Sequence, residues 1–472
     1  MPQTRWISLC LSILLYGLCV LQSDVQAAPA SETAMLLKNV ILFISDGCGY
    51  NHVEAASYYR SGTPDSFSFQ QFPLQIGMST YNIHGSYDPE TACTSMTYVQ
   101  NNPTESGASG AAIACGRKTY SGAIGMIGHS SADAVRARSV VEHAEWQGMA
   151  TGVATSVQFS HATAASFAAH NVSRYNYEAI AREMLTSSTL DVIIGCGHPG
   201  FDNDGQTTAS VEFKYAGGEE TWLALLAGEL AVSDADRDHQ PDAWSLVESR
   251  DDFQSLAAGQ NLPKRLLGIP QTHLTLQQRR SGGNVQVPYA DALTTSVPTL
   301  SEITMAAINV LEQDTDGFFL MVEGGAVDWA SHSNQSGRMI EEELEFADAV
   351  SSAVVWVADH GGWEQTLIVV TGDHECGYLT GPANSGTVEE QLQIVGGAPG
   401  EVPQMQWRLT AHTNSLVPLY ANGPESVLQQ LLDMADEEDP IRGSYIDNAE
   451  LGAALIDIIP LKPPTAATIT IW

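Results

Sequence analysis

Basic residues are scarce in this sequence. The chain of 472 residues has 20 Lys and Arg against 55 Asp and Glu, which gives a formal net charge of −35. Binding to nucleic acid requires clustered Lys and Arg, so we expect no nucleic-acid partner. An anionic small molecule would be repelled by the same charge, and local cations would have to overcome that repulsion. We interpret the general acidity as a contribution to solubility.

Cysteines and long apolar runs are also few. No C-x-x-C spacing occurs, which argues against a zinc knuckle or a redox pair, and an odd number cannot all pair within the chain. No segment after the first thirty residues reaches the ~18 apolar residues of a membrane span, and no segment repeats at a fixed period. We therefore expect a globular protein without a membrane span that is not organised by disulfides. The cysteines beyond the first thirty residues are Cys48, Cys93, Cys115, Cys196 and Cys376.

The first 27 residues have the features of a secretory signal peptide. Arg5 provides a positive start, the stretch from Ile7 to Leu21 is mostly apolar, and Val25-Gln26-Ala27 offers a small-residue cleavage site. We predict that residues 1–27 are removed and that residues 28–472 form a periplasmic or secreted protein.

Apolar runs and helical patterns alternate along the rest of the chain. "NVILFIS" at residues 39–45 is almost wholly apolar, as expected of a strand buried on both faces. Such alternation predicts an α/β fold, with a large, twisted, mostly parallel sheet and helices on both faces. The other predicted strands are residues 152–157, 191–195, 317–323 and 366–372, and the predicted helices are residues 132–147, 175–185, 301–313 and 339–359.

Residues 205–297 interrupt this alternation. They contain more turn residues and end in "RRSGGNVQVPYADA", so we interpret them as an elaboration inserted between strands of the sheet. A short C-terminal region follows Gly423, and we expect it to pack back onto the sheet. The predicted organisation is one catalytic domain, residues 28–472, with one insertion.

Oxygen and imidazole side chains follow the predicted strands. Ligands of a parallel sheet bind beyond the carboxyl ends of its strands, so these side chains are expected to meet. Asp328 and His332 are four residues apart, which puts both on one face of a helical turn. Zinc accepts mixed nitrogen and oxygen ligands, whereas magnesium prefers oxygen alone. The strand-end residues are Asp46, His161, Thr163, Glu323, Asp328, His332, Asp373 and His374, and His412 stands just before a further apolar run.

Ser106 lies in a run of small residues, "ESGASGAA". The run indicates a helix that begins close to a bound group, with its N–H groups facing an anion. The stretch is not the Gly-x-Ser-x-Gly turn of a hydrolase, because Thr104 stands where the first glycine would be. If Ser106 is a nucleophile, these residues alone leave open what activates it.

Six motifs together resemble the alkaline phosphatase family, and they occur in that family's order between Asn39 and Gly423. The resemblance implies a twisted central sheet, usually in a homodimer, that binds two zinc ions and one magnesium ion and hydrolyses small phosphate monoesters. The motifs are "ILFISDGCG", "TESGASGAAIACGRKTYSGAIG", "HATAASFAAHNVSR", "FFLMVEGGAVDWASH", "IVVTGDHECG" and "AHTNSLVPLY".

The resemblance also implies a role for each matching residue. Ser106 would be the nucleophile that becomes phosphorylated, activated by a zinc ion that lowers the pKa of its hydroxyl. Arg174 would hold the phosphoryl oxygens with its planar guanidinium. One zinc would take Asp328, His332 and His412, the other zinc would take Asp46, Asp373 and His374, and the magnesium would take Asp46, Thr163 and Glu323.

Three positions depart from the commonest family pattern. Glu105 stands where an aspartate usually positions the arginine, so the extra methylene bears on how Arg174 docks. His161 and Trp329 stand where certain bacterial members have Asp and Lys. We count these three with Arg174 as substrate-binding residues, and we expect a neutral His161 to favour magnesium less than an aspartate would.

Other readings of the sequence stay open. A phosphodiesterase or a phosphonate hydrolase could use the same scaffold, whereas a sulfatase would need a Cys-x-Pro-x-Arg motif that is absent. A secreted binding protein that has kept the fold but lost catalysis is a further alternative. The complete set of candidate metal ligands argues against it, because a protein without catalysis would be expected to lose such ligands. Residues Asp234–Asp242 resemble a calcium loop, but His239 replaces the glycine expected at the sixth position.

Overall fold

The structure, a computed structural model, describes residues 37–235 and 239–459. All of these residues belong to one compact unit. The predicted signal peptide lies outside the described residues, as do residues 236–238 of the suggested calcium loop. Within the described ranges, no helix combines the length and the apolar character needed to cross a membrane.

The elements alternate along the chain as the sequence predicts. The strands are β1 (Asn39–Ser45), β2 (Leu74–Ser79), β3 (Met126–Ile127), β4 (Val135–Arg136), β5 (Ala150–Gln158), β6 (Val192–Cys196), β7 (Ala231–Ser233), β8 (Asp242–Ala243), β9 (Ser245–Val247), β10 (Leu266–Gly268), β11 (Phe318–Gly324), β12 (Thr366–Gly372), β13 (Glu375–Cys376), β14 (Leu379–Thr380), β15 (Gln406–Trp407), β16 (His412–Thr413), β17 (Val417–Asn422), β18 (Glu437–Asp439) and β19 (Gly443–Asp447). The α-helices are α1 (Tyr50–Ser61), α2 (Pro89–Ala92), α3 (Ser106–Cys115), α4 (Val140–Trp146), α5 (Ala162–Ala168), α6 (Tyr177–Thr186), α7 (Glu219–Leu226), α8 (Arg250–Ala257), α9 (Leu300–Leu311), α10 (Ala326–His332), α11 (Ser336–Asp359), α12 (Val388–Leu392), α13 (Glu425–Met434) and α14 (Asn448–Ile458). Short 3₁₀ helices occupy Ser68–Gln71, Tyr98–Gln100 and Lys214–Ala216.

One large sheet organises the fold. Its 11 strands lie in the order β18-β19-β2-β17-β12-β1-β11-β5-β6-β10-β9. Every neighbouring pair from β12 to β9 is parallel, whereas β12–β17 and β17–β2 are antiparallel. The predicted α/β fold with a mostly parallel sheet is confirmed.

The central strand shows why the sheet is covered on both faces. All seven residues of β1 are buried. Val40, Leu42 and Ile44 belong to one apolar core, and Ile41 and Phe43 belong to a second one. Successive side chains of a strand point to opposite faces, so a run of apolar residues requires helices on both sides. Helices α3, α4, α5, α6 and α14 cover the first face, and α1, α8, α9 and α11 cover the second.

Helix boundaries follow their capping residues. The Thr299–Glu302 capping box predicted from the sequence starts α9, as expected. The predicted helix over residues 132–147 is wrong in its first half, because Val135–Arg136 pairs with β3 as a short strand. A second capping box, formed by Ser139 and Glu142, begins α4 at Val140 instead. Local hydrogen bonds to the first turn therefore determined the start of this helix.

The two regions outside the simple alternation both contribute to the sheet. Strands β9 and β10, which lie in residues 205–297, extend its edge by parallel pairing beyond β6. After Gly423, β19 pairs with β2 and α14 packs on α3, where a Cβ on Gly452 would lie 2.4 Å from the carbonyl oxygen of Ile113. Whether residues 205–297 are an insertion into a single catalytic domain stays a prediction.

Candidate active site

The carboxyl ends of four adjacent strands meet at one place in the sheet. Strands β12, β1, β11 and β5 are neighbours, and Asp373, Asp46, Glu323 and His161 stand at or just beyond their carboxyl ends. Three groups of side chains there hold their nitrogen, sulfur or oxygen atoms within 4.8 Å of one another, which is close enough for a metal ion. The groups are Asp328, His332, Cys376 and His412; Asp46, Asp328 and His374; and Asp46, His161 and Glu323.

The first group brings together α10 and β16. His412 Nε2 lies 3.3 Å from Asp328 Oδ1, His332 Nε2 lies 3.5 Å from the same oxygen, and the two nitrogens are 2.9 Å apart. The Nδ1 atoms lie 2.9 Å and 2.8 Å from the carbonyl oxygens of Thr104 and Thr410. If Nδ1 carries the proton and donates it to the carbonyl, Nε2 is free to act as a ligand.

Sequence reasoning missed one member of this group. Strand β13 pairs with β16 so that Cys376 stands opposite His412. Burial raises the pKa of the Cys376 thiol well above its usual value, so the group is a neutral thiol beside the two imidazoles. The only local signal was its position two residues after His374. The pairing of two-residue strands that brings it to His412 leaves no pattern in the sequence.

The second group forms where β1 and β12 end, and Asp373, which is not one of its three members, lies against His374 there. Asp373 Oδ1 accepts hydrogen bonds from the N–H groups of Gly47 at 3.0 Å and His374 at 2.9 Å. Its Oδ2 is then left facing His374 Nε2 at 3.4 Å, and that nitrogen is 3.6 Å from Asp46 Oδ1. Gly47 has a φ of +74°, and a Cβ there would lie 2.7 Å from the Cα of Asp328, so only glycine lets the two loops approach.

The third group, Asp46, His161 and Glu323, has a further oxygen beside it, the hydroxyl of Thr163. Glu323 is the last residue but one of β11, Thr163 lies in the first turn of α5, and Asp46 follows β1. Both carboxylate oxygens of Glu323, the hydroxyl of Thr163 and Oδ2 of Asp46 are buried without a hydrogen-bond partner among the described residues. Buried polar atoms normally have a partner, so these four atoms together indicate a bound group that supplies positive charge.

The electrostatics of the centre agree with bound cations. Burial, and then the charges of Asp373 and Asp328, raise the pKa of Asp46 well above its usual value. Burial is also the main reason that the pKa values of Glu323 and Asp373 rise to about 7. So many buried carboxylates repel one another unless cations lie between them. The nitrogen and oxygen donors of the first two groups fit zinc, and the oxygens of Asp46, Glu323 and Thr163 fit magnesium.

Ser106 stands at the start of α3, directly beside the second group. It is 1% exposed, and its Oγ lies 3.3 Å from His374 Nε2 and 3.5 Å from Asp46 Oδ1. A Cβ on Gly110 would lie 3.2 Å from the Cβ of Ser166, so the glycine allows α3 to pack closely on α5. This packing accounts for part of the run of small residues.

The first N–H groups of α3 do not face an open space, contrary to the sequence-based expectation. Glu105 is the N-cap, and it accepts hydrogen bonds from Gly107 N at 2.9 Å and from Ala108 N at 2.7 Å. Gly122 N donates to the same carboxylate at 2.7 Å. Positive charge for an anion must therefore come chiefly from side chains and bound ions rather than from these N–H groups.

Arg174 docks on the same carboxylate. Its Nη1 donates to Glu105 Oε2, and both side chains are largely buried. Although burial opposes ionisation, Arg174 and the backbone N–H groups of Gly122 and Ala108 lower the pKa of Glu105, so the pair is ionic. The Glu105 carboxylate thus still contacts Arg174 although glutamate is one methylene longer than aspartate, because the side chain folds back to cap the first turn of α3. The departure from the family pattern at Glu105 therefore leaves Arg174 docked.

His161 and Trp329 lie next to Arg174. His161 Nε2 is 3.3 Å from Arg174 Nη2, and the rings of His161 and Trp329 contact edge to face at 5.5 Å. Burial, and then the charge of Arg174, lower the pKa of His161 to about 3, so the ring is neutral. A neutral ring that accepts from Arg174 at Nε2 carries its proton at Nδ1, which makes Nδ1 a donor rather than a metal ligand.

Comparison with known proteins agrees with the motifs. The family model described as alkaline phosphatase matches residues 37–442. Alkaline phosphatase 4 of Bacillus subtilis is 29% identical over 375 residues, which are 77% of this chain and 67% of that protein. Alkaline phosphatase of Escherichia coli is 29% identical over 356 residues, or 71% of this chain and 70% of that protein.

Solved structures show the same fold. The alkaline phosphatase of the Antarctic bacterium TAB5 superposes with a TM-score of 0.62 at 24% identity and covers 91% of this chain and 100% of its own. The Thermus thermophilus enzyme superposes with a TM-score of 0.60 at 19% identity, covering 91% of this chain and 92% of its own. The chain therefore belongs to the alkaline phosphatase family of phosphatase enzymes.

Proposed function

We propose that this protein is an exported, metal-dependent phosphomonoesterase that forms a phosphoserine at Ser106 and releases inorganic phosphate. The observation that carries the proposal is the position of the Ser106 hydroxyl, 3.3 Å from His374 Nε2 and 3.5 Å from Asp46 Oδ1. Arg174, held by the neighbouring Glu105, supports it by offering a guanidinium for phosphoryl oxygens.

The reaction takes place in two displacements at phosphorus. Ser106 Oγ forms a bond to phosphorus while the bond from phosphorus to the ester oxygen breaks, and the departing alcohol takes up a proton. A water molecule then attacks the phosphoserine, breaks the bond between phosphorus and Oγ, and leaves phosphate and the free serine. Arg174 orients the phosphoryl group in both steps with the N–H groups that Glu105 does not occupy.

The metal sites complete the proposal. Asp328, His332 and His412 would hold one zinc ion, and Asp46, Asp373 and His374 would hold the other. Asp46, Thr163 and Glu323 would hold one magnesium ion. When bound, these ions would lower the pKa values of the hydroxyl and water that attack, and would neutralise charge on the phosphoryl oxygens and on the leaving group. The buried, unpartnered oxygens of these residues support the assignment.

The substrate class is a small phosphate monoester. A monoester has more free phosphoryl oxygens than a diester, and an arginine beside three groups of metal ligands gives those oxygens more partners than a diester can use. Phosphodiesterase or phosphonate hydrolase activity on the same scaffold is the alternative. We also propose that residues 1–27 direct export to the periplasm or the medium and that the chain forms a homodimer.

The central experiment replaces the nucleophile. Ser106→Ala should lower kcat/KM for 4-nitrophenyl phosphate on the order of 10³-fold while the protein remains folded and binds zinc. Ser109→Ala is the matched control, because Ser109 lies one turn further along α3 and its hydroxyl donates to the Asp373 carbonyl oxygen at 2.6 Å. It should retain most of the activity. Turnover of Ser106→Ala equal to wild type would contradict the phosphoserine route.

Two further measurements test the metals and the substrate class. The protein should contain about two zinc ions and one magnesium ion per chain, lose activity with a chelator, and regain it with both metals. An active preparation without metal would contradict the proposal. Hydrolysis of bis(4-nitrophenyl) phosphate faster than the monoester would favour the diesterase alternative.

A further inference from the structure

Two exposed cations lie on aromatic rings beside the candidate active site. The guanidinium carbon of Arg279 is 5.2 Å from the centre of the Trp329 ring. Lys214 Nζ is 5.0 Å from the centre of the Tyr177 ring and 4.6 Å from that of Tyr215. We call Lys214 and Arg279 the cationic rim. Both lie in residues 205–297, the region that interrupts the regular alternation of the sequence.

The rings under the cationic rim contact His161, which lies beside Arg174, the residue proposed to hold the phosphoryl group. Trp329 contacts the edge of His161 at 5.5 Å, and Tyr177 stacks on the same imidazole at 6.4 Å with an interplanar angle of 15°. His161 in turn lies 3.3 Å from Arg174. Burial raises the pKa of Tyr177, while Arg174 and Lys214 each lower it, because both cations lie near its phenol. The cationic rim therefore flanks Arg174 through a continuous set of ring contacts.

The two cations differ in how far their charge is neutralised. Lys214 Nζ lies 3.2 Å from the hydroxyl of Tyr215 and 3.9 Å from a carboxylate oxygen of Glu212. Glu212 also lies 3.4 Å from His273, and both members of the Lys214–Glu212 pair are about half exposed. Over residues 37–235 and 239–459, no carboxylate pairs with Arg279. Its full charge is thus available to a ligand, whereas that of Lys214 is partly used.

Positive charge at this position opposes the acidity of the chain as a whole. The protein has 20 Lys and Arg against 55 Asp and Glu. The distant acidic surface repels an anionic substrate, while a nearby cation acts more strongly because Coulomb energy falls with distance and with screening. The aromatic ring below Arg279 also restricts the guanidinium, which reduces the entropy lost when it binds an anion.

We propose that the cationic rim recognises a second anionic group on the leaving group of the substrate. The favoured substrates are then small phosphate monoesters that carry another phosphate or a carboxylate. This inference rests on the proposed phosphomonoesterase function and specifies its substrate class. Arg174 holds the phosphoryl group that reacts, and Arg279, assisted by Lys214, attracts the second charge.

Matched substrate pairs provide the test. Fructose 1,6-bisphosphate is compared with fructose 6-phosphate, and 3-phosphoglycerate with glycerol 3-phosphate, as ratios of kcat/KM. Members of each pair differ chiefly in the second anionic group. In fructose 1,6-bisphosphate that group is itself a hydrolysable ester, so its kcat/KM is divided by two before the ratio is taken. Wild-type enzyme should favour the doubly anionic member, and raising the ionic strength should reduce that preference, because salt screens exposed charges.

Substitutions at the cationic rim should change these ratios. Arg279→Gln should lower the ratio about fivefold, Arg279→Glu should lower it further, and Lys214→Gln should lower it about twofold, in keeping with the modest strength of exposed charge pairs. Arg138→Gln is the matched control. Arg138 is likewise exposed, and its guanidinium lies 5.4 Å from the centre of an aromatic ring, that of Trp146, which is not one of the rings that contact His161, so its loss should leave the ratios unchanged.

The outcomes separate the inference from the function on which it rests. Ratios in Arg279→Gln and Arg279→Glu that stay within twofold of wild type would overturn the proposed role of the cationic rim. This includes the case in which both substrates of a pair lose activity equally, because the ratio then does not change. Wild-type hydrolysis of 4-nitrophenyl phosphate would still support the phosphomonoesterase. If the wild-type protein hydrolysed no phosphate monoester, the proposed function itself would fail.

Discussion

Two clusters of buried carboxylates in this protein differ in what neutralises them. The first, which we call the acid centre, consists of Asp46, Glu323, Asp328 and Asp373 at the ends of the strands. The second lies on α11, where Glu341 Oε2 is 2.8 Å from Arg280 Nη2 and 3.3 Å from Arg338 Nη1. Arg338 Nη2 is also 3.2 Å from Asp291 Oδ2. We call this second set the arginine cluster.

The comparison shows how a functional cluster can be distinguished from a structural one. In the arginine cluster, the chain itself provides two guanidiniums, and Arg280 also donates to carbonyl oxygens of Ala292 and Asp291. In the acid centre, several carboxylate oxygens lack a hydrogen-bond partner among the residues that the structure describes. Burying an unpaired charge is costly, so we expect the arginine cluster to be stable as folded and the acid centre to be stabilised by ions bound from solution. The following predictions test this difference, from the largest effect to the smallest.

The largest effect is expected from Asp46→Asn. Asp46 belongs to two of the metal-ligand groups, so the variant should lose activity on the order of 10³-fold and bind less zinc and magnesium. With a chelator present, however, its free energy of unfolding should equal or exceed that of wild type, because one of several mutually repelling buried carboxylates is gone. Activity assays, metal analysis and urea unfolding check this.

His332→Ala serves as the comparison for that variant. His332 is partly exposed and belongs to one group only, so its loss should reduce activity less than Asp46→Asn does. An Asp46→Asn protein that keeps its metals, or that is strongly destabilised in chelator, would show that the acid centre is structural.

The opposite behaviour is expected from Glu341→Gln. Removing the negative charge leaves Arg280 and Arg338, both 1% exposed at the side chain, without their shared partner. Breaking one partner of a buried ion pair typically costs about 3 kcal/mol or more. The free energy of unfolding should fall by that amount both with and without chelator. Urea unfolding under the two conditions measures it.

Glu345→Gln is the matched control for the arginine cluster. Glu345 lies one turn further along α11, and its carboxylate accepts a hydrogen bond from Leu300 N at 3.2 Å without an arginine of that cluster. Its loss should change the free energy of unfolding much less. If Glu341→Gln were equally mild, the arginine cluster would not be the stabilising contrast to the acid centre.

Glu342 is an intermediate case, since within the described part of the chain it belongs to no candidate metal group and forms no salt bridge with an arginine. Burial, followed by the charges of Glu345 and Glu341, raises its pKa to about 8. The folded state then binds this proton more tightly than the unfolded state, so the stability from Glu342 is complete below about pH 4.5 and is lost as pH rises to about 8. The loss should amount to at most about 1.4 kcal/mol per pH unit.

Glu342→Gln removes this titration. Urea unfolding of wild type and variant between pH 5 and pH 9 should give a difference that grows with pH in favour of the variant. Two parallel curves would show that Glu342 does not carry the shifted proton.

The smallest effect is expected at the edge of the site. Neutral His161 and uncharged Trp329 should make magnesium and phosphate bind more weakly than the Asp and Lys of certain bacterial relatives would. His161→Asp with Trp329→Lys should therefore tighten inhibition by phosphate several-fold, and slower release of phosphate should lower kcat at alkaline pH. Phosphate inhibition and magnesium titration on the single and double variants measure this. If phosphate binds no more tightly to the double variant, both residues only pack.

Much of the site could be predicted from the sequence because strand ends leave local signals. The apolar run at residues 39–45 becomes β1 without shift, and Asp46 follows it directly. Residues 366–372 likewise become β12 without shift, and Asp373 follows them directly. Both strands could be predicted because a strand buried on both faces appears in the sequence as a nearly continuous apolar run. Short-range capping was partly missed, and the predicted helix at residues 132–147 was too long as a result.

The sequence by itself determined which chemistry is available: a serine among small residues, oxygen and imidazole ligands after the strands, and motifs specific enough to indicate the family. Only the tertiary structure decided which of these groups meet. His332 and His412, 80 residues apart, face one carboxylate, and Cys376 joins them through strand pairing. Packing also decided that two arginines contact Glu341, whereas no arginine lies as close to Asp46 among the described residues. It also placed the guanidinium of Arg279 over the ring of Trp329. Such contacts depend on how distant elements pack in three dimensions, and hydrophobic periodicity records only which face of each element is buried.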